Sequence, residues 1–177
     1  FKVFTYNIRT DSVYRVMHAY RHMRAYRRDI QAVCDSLVFN GQDSVMTMYH
    51  DPILWQEGQQ LLGEEIKAFF NDSTIDSVQV LRQALSVERL DSIHYNQITG
   101  NEMHTYFRDG EVYLSTSIGN VYVNYFHMGE DSILADMNRT ETTFLKIFLK
   151  DRKVDKIWMP AATGSFYPIP LIPADVL

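Results

Sequence analysis

Tyr106-Phe107-Arg108-Asp109-Gly110 carries two bulky apolar residues into a polar turn with an Asp, and a β-branched residue, Val112, follows. The same chemistry recurs with different residues at Phe69-Phe70-Asn71-Asp72-Ser73 and Phe148-Leu149-Lys150-Asp151-Arg152, followed by Ile75 and Val154. A looser copy is Val38-Phe39-Asn40-Gly41-Gln42-Asp43-Ser44-Val45. Asx and Gly residues reverse the chain at little cost, and aromatic and β-branched residues favour the pleated surface on either side. One hairpin unit therefore repeats at an irregular spacing of roughly 30 to 40 residues, the mark of a stacked or rolled all-β architecture.

A second register lies upstream of the turns, in Ala32-Val33-Cys34-Asp35-Ser36-Leu37, Leu61-Leu62-Gly63-Glu64-Glu65-Ile66 and Ile98-Thr99-Gly100-Asn101-Glu102-Met103. Each runs apolar, small, acid or amide, then aliphatic, and small residues inside a strand mark bends or close backbone approach. Residues 1–6 alternate as a strand. Residues 13–28 fit either a helical face or, through Met17, Ala19, Met23 and Ala25, a strand face; the strand reading preserves the repeat. The segment 78–90 also reads as strand. Gly119-Asn120, between two β-rich runs, reads as a hairpin dipeptide. Beyond residue 126 come a loop, a hairpin over 143–159 and a Pro-rich exit.

With 177 residues, 46% apolar and 13% aromatic, the chain can bury a core and reads as a single domain over 1–177. Its net charge of −5 argues against nucleic acid as a partner. One cysteine, Cys34, excludes an internal disulfide and a thiolate metal cluster. No run of 18 or more apolar residues occurs, so no transmembrane helix is expected in this segment. The strand-like start and the apolar tail around Pro168, Pro170 and Pro173 suggest a piece of a longer polypeptide, with any signal peptide outside it.

Five arginines, Arg15, Arg21, Arg24, Arg27 and Arg28, lie with His18 and His22 in a stretch without acids. Guanidinium forks suit anionic head groups or an adjacent module, and charge on an exposed edge strand also discourages aggregation. His18 and His22 lie four residues apart, too far on a strand to chelate one ion, and no third ligand follows. Asp35, Glu64, Glu65, Glu102 and Glu111 could supply a glycosidase pair, yet their recurrence at repeat positions favours a structural role. No nucleophile-elbow, zinc-protease, Walker or dinucleotide motif is present, so neither an enzyme nor a cofactor is expected. Asp-Ser before an aliphatic occurs at Asp11, Asp35, Asp43, Asp76, Asp91 and Asp131. That tripeptide marks a turn exit and resembles the O-glycosylation acceptor of exported Bacteroidota proteins.

At Met23-Arg24-Ala25-Tyr26-Arg27-Arg28-Asp29-Ile30-Gln31 running into the first small-acid motif, and at Gln60-Leu61-Leu62-Gly63-Glu64-Glu65-Ile66, the chain resembles the OstA-like (LptA-type) family. The likeness returns at Leu134-Ala135-Asp136-Met137-Asn138-Arg139-Thr140-Glu141 and Lys156-Ile157-Trp158-Met159, and is similar to the larger OstA-like proteins of Bacteroidota. Departures are the irregular spacing, an insertion around 71–97 and the Pro-rich end. The resemblance implies an open, V-shaped β-jellyroll in the periplasm that shields the acyl chains of lipopolysaccharide or lipid A on the way to the outer membrane. It also implies pairing of edge strands with neighbouring modules or other lipopolysaccharide-transport components. Val33, Leu37, Leu62, Ile66, Met103, Val112 and Val121 are then the expected interior lipid contacts, and Arg21, Arg24, Arg27 and Arg28 the expected anion or module contacts. The rival expectations are a structural or adhesion β-repeat whose own side chains fill its interior, and a carbohydrate-active jellyroll enzyme with two close carboxyls in a cleft.

Overall fold

A computed structural model describes residues 2–7, 12–26, 30–56, 58–71, 74–129 and 133–172, with side chains described from residue 13 onward. Those residues form one 13-stranded antiparallel sheet. In chain order the strands are β1 (Lys2–Asn7), β2 (Ser12–Tyr26), β3 (Gln31–Asn40), β4 (Val45–Tyr49), β5 (Ile53–Gln56), β6 (Gln59–Leu62) and β7 (Glu65–Asn71). They continue with β8 (Thr74–Arg89), β9 (Tyr95–Arg108), β10 (Glu111–Met128), β11 (Leu134–Lys150), β12 (Lys153–Trp158) and β13 (Thr163–Pro168). A 3₁₀ turn over Ile169–Leu171 follows.

Four turns fall where the repeated motif puts them. Residues 41–44 join β3 to β4, and Asn71 pairs with Thr74, Arg108 with Glu111, and Lys150 with Lys153. At two of them both turn residues take positive φ, Asp109 and Gly110 at 54° and 84°, Asp151 and Arg152 at 51° and 61°. That is the tight hairpin geometry whose twist matches the flanking strands. The recurring β-branched residue is the cross-strand mate of the second bulky one: Phe70 faces Ile75, Phe107 faces Val112, and Leu149 faces Val154.

The small-acid motif marks a crease that bends every central strand in the middle. On alternate strands two successive residues adopt positive φ: Arg21 and His22, His50 and Asp51, Arg82 and Gln83, Gly119 and Asn120. The ladders skip across these pairs, from Tyr20 to Met23, from Leu81 to Ala84 and from Ile118 to Val121. One residue of the neighbouring strand lies opposite each skip: Asp35 on β3, Asn101 on β9 and Thr143 on β11. Glu64, between β6 and β7, abuts Arg82 and Gln83. Two residues against one is a β-bulge, which bends the strand that carries it. Glu64 ties the crease together, its Oε2 accepting from Arg82 Nε at 2.7 Å and its Oε1 from Gln83 Nε2 at 2.9 Å. Asn120 Nδ2 donates to Asn101 Oδ1 at 3.3 Å one repeat later.

Two expectations are corrected here. Gly119-Asn120 has hairpin backbone angles but makes no hairpin, because both flanks continue to pair with the same strand, Ile118 with Phe144 and Val121 with Thr142. The dipeptide creases β10 instead. The Pro-rich exit contains strand β13, which returns along β11 from Thr163 opposite Glu141 to Pro168 opposite Asp136. The segment 71–97, read as an insertion, holds β8 and the turn into β9 within the continuous ladder. The segments 13–28 and 78–90 are strands where described, up to Tyr26 and Arg89, as expected.

The crease divides the sheet into a first arm, carrying the four turns above, and a second arm, carrying the connections near residues 26–31, 56–59, 89–95 and 128–134. The described residues contain no helical layer, yet Met48, Ile66 and Val78 have no exposed surface and Leu54 and Ala84 almost none. One face of a sheet becomes this dry only when its arms cover each other, so the molecule is an open V-shaped β-jellyroll. In the N-terminal half Leu37, Met48, Ile66, Val78 and Val80 of the first arm meet the small or short residues Ala32, Cys34 and Ala84 and Leu54 of the second. The arms there close on their own side chains.

At the crease a side chain on Gly100 has nowhere to go: a Cβ would overlap Ser117 Oγ, which donates to the Thr99 carbonyl at 3.0 Å. Gly100→Ala is expected to cost about 1–3 kcal/mol through overpacking, measured by urea denaturation, and Ser117→Gly in the same chain should recover part of it.

Candidate functional site

Beyond Val80 the interior opens. A cavity of about 1110 Å³ lies between the arms of β8 to β13, with Gln56, Gln59 and Leu61 of β5 and β6 at its near end. Met103, Val112, Leu145, Ile147 and Leu149 line its first arm, and Leu61, Ile98 and Val123 line its second. Strand alternation makes this wall: Leu145, Ile147 and Leu149 are two apart on β11, and side chains two apart share a face. The arms spread because the inward residues of the second arm change from Ala32, Cys34 and Leu54 to polar ones, Ser86, Asn138 and Thr140. These do not drive the walls together as apolar pairs do. Val154, Ile157 and Phe166, from β12 and β13, complete the lining while remaining half or more exposed.

The expected interior residues divide into three groups. Met103 and Val112 line the cavity. Leu37, Ile66 and Val121 are buried in packed interior and do not line it. Val33 and Leu62 are half-buried and not interior, a correction with a simple cause: their neighbours Ala32, Cys34 and Leu61 hold the inner face, and one step along a strand reverses the side. Leu61, Ile98, Val123, Leu145 and Ile147 are lining residues that sequence reasoning did not single out. The alternation Leu145, Ile147, Leu149 along one run was the signal that could have found the two on β11.

The arginine stretch lies on β2. Arg15, Arg21 and Arg24 are exposed there, and Arg21 and His22 form the crease of that strand; Arg27 and Arg28 lie outside the described residues. The Asp-Ser tripeptides separate by position: Ser36 and Ser77 are buried, and Ser92 is exposed at the turn into β9. Cys34 is buried, and desolvation, aided by the neighbouring Asp35 charge, pushes its thiol above the ordinary 9.0. Cys34 should therefore resist thiol reagents until the protein unfolds, which a timed labelling assay with and without urea would show. No cluster of three or more metal-ligating side chains occurs among the described residues, and no described helix is long and apolar enough to cross a membrane.

The β8–β9 turn has the clearest electrostatic signature. Asp91 Oδ1 accepts from the backbone N–H of Ile93 and of His94, both at 2.8 Å, and its Oδ2 lies 2.7 Å from His94 Nδ1. These bonds, the backbone N–H of Ile93 first, lower the carboxyl from 3.8 to about 2. A depressed pKa stabilises the fold above the unfolded value and the benefit is lost as pH falls through the folded one. The turn should hold at pH above 3.8 and loosen between there and about 2, and Asp91→Asn should flatten that limb of an acid titration followed by amide exchange at residues 90–94.

Comparison with known proteins finds no matching family model and no match among curated proteins. Among solved structures, LptH from Pseudomonas aeruginosa aligns with a TM-score of 0.55 over 77% of this chain and 92% of LptH. The chain is similar in fold to LptH. Identity is 12%, so the likeness carries the architecture alone. LptH is described as the LptA homologous periplasmic component of the conserved lipopolysaccharide transport device. The LptA-type fold anticipated from the motifs is thus present, reached through a different set of side chains.

Proposed function

We propose that this chain is a lipid-shielding module, a single unit over 1–177 of the Bacteroidota OstA-like kind, that holds the acyl chains of lipopolysaccharide in the periplasm. The observation that carries the reading is the open apolar cavity between the arms of β8 to β13. Acyl chains gain about 0.8 kcal/mol for each methylene taken from water, and alternating strands supply an apolar inner face with a polar outer one. The fold shared with LptH, a component of a lipopolysaccharide transport device, supports a carrier over a glycan-cleaving jellyroll. A repeat filled wholly by its own side chains accounts for the N-terminal half but not for the cavity.

The terminal strands fit the same reading. The described part of the sheet runs from β1 at one end to β12 and β13 at the other, each paired on one side only. Free edges of this kind favour strand addition by a neighbouring module, and the arginines of β2, with Arg27 and Arg28 next in the sequence, would meet an anionic head group or that neighbour. Lipid extracted from protein purified without detergent and weighed by mass spectrometry is expected to include lipid A species in near-stoichiometric amount. Protein free of lipid after isolation from envelopes would count against the proposal.

A further inference from the structure

The two lips of the cavity differ in chemistry. Along the first arm Met103, Val112, Ile147 and Leu149 are interspersed with the neutral Thr105, Ser115 and Ser117, and Arg152 stands at the rim. Along the second, Leu61, Ile98 and Val123 alternate with Ser86 and Thr140 near the crease, and the ionisable Glu88, His127 and Asp136 gather toward the rim with Asn96. The ladder sets Glu88 opposite Asn96, and His127 opposite Asp136. Asn96 is taken up by the fold: its Nδ2 donates to Glu88 Oε2 at 3.0 Å and its Oδ1 accepts from the Phe126 backbone N–H at 2.8 Å.

Asn124 differs. It lines the cavity, and its buried Oδ1 accepts no hydrogen bond among the described residues. That oxygen is enclosed and its strand neighbour Val123 holds the inward side, so the acceptors a ligand between the arms meets at this lip are the Glu88 and Asp136 carboxylates. The charges point the same way. The lining residues include Glu88 and Asp136 but no Lys, and Arg152 stands near the β11–β12 turn on the first arm, where its Nε donates to Glu111 Oε1 at 3.0 Å. His127, the remaining ionisable group on the polar lip, lies 3.8 Å from the Asp136 carboxylate. An anion at this lip would face the Glu88 and Asp136 carboxylates, while the lining arginine, Arg152, is held on the first arm beside Glu111.

We infer that the cavity, read as an acyl-chain carrier as above, selects lipids whose polar portion beside the chains is uncharged and donates hydrogen bonds, as sugar hydroxyls and amides do. Charged phosphates of a cargo lipid then sit away from this lip. Native mass spectrometry of the protein titrated with a diacylglycerol glucoside, or with phosphatidic acid of the same acyl chains, reads the preference directly. Two carboxylates within about 8 Å of a phosphate at intermediate dielectric should favour the glucoside by at least about tenfold. In the E88Q/D136N variant that ratio is expected to fall toward one. Equal binding of the two lipids by the unaltered protein, or the same preference in the double variant, overturns the inference while leaving acyl-chain carriage standing. Failure of both lipids to bind overturns the carrier reading and the inference with it.

Discussion

Ile66→Ala is expected to destabilise the fold by about 2–5 kcal/mol, whereas Val123→Ala should cost about 1 kcal/mol. Both are β-branched residues on inward-facing strands, but their surroundings differ. Ile66 has no exposed surface and belongs to the core with Leu37, Met48 and Val80. Truncating it leaves a void that the neighbouring strands cannot close without breaking their ladders. Val123 is half-buried at the wall of an existing cavity, so shortening it enlarges a space already present. Urea unfolding of both variants measures the difference. Equal losses would mean that the interior is packed alike from end to end, and the division into a closed half and an open half would be wrong.

Filling the cavity should have the opposite profile. Val123→Trp with Ile147→Trp puts indoles on facing arms, where there is room for them in a space of about 1110 Å³. The fold is expected to survive with little change in its urea midpoint. Bound acyl chain is displaced instead: if about four methylenes lose their contact, affinity falls by about 3 kcal/mol, roughly a hundredfold. The lipid recovered per mole of protein reads this directly. Unchanged lipid content in a folded double variant would place the cargo somewhere other than between the arms.

Much of the architecture is legible in the sequence because turn chemistry and strand alternation are local. Asp109-Gly110 and Asp151-Arg152 announce their turns through residues that reverse a chain, and the cross-strand mates Phe107 and Val112 follow from counting outward. The crease is also written there, in Cys34-Asp35, Gly63-Glu64 and Gly100-Asn101, although its meaning depends on neighbours far away in sequence. Gly119-Asn120 shows why. The same backbone angles close a hairpin or bend a strand, and which occurs is decided by whether the flanks find each other or a shared partner, here β11. Val33 and Leu62 show a second limit. In an apolar run such as Leu61-Leu62 both residues qualify for the interior, and only the register of the ladder, Leu61 with Ser86 and Leu62 with Leu85, assigns the faces. Where the arms part depends on sums of side-chain volume across two arms, which no short motif carries.

The most direct test of the carrier reading is site-specific photocrosslinking in envelope-intact cells, with the probe at Val123 or Ile147 inside the cavity and at Val33 or Leu62 on the outer face. Capture of lipopolysaccharide from the two inner positions and not from the two outer ones is the expected result. Capture from the outer positions alone would contradict it, and so would no lipid adduct from either inner position.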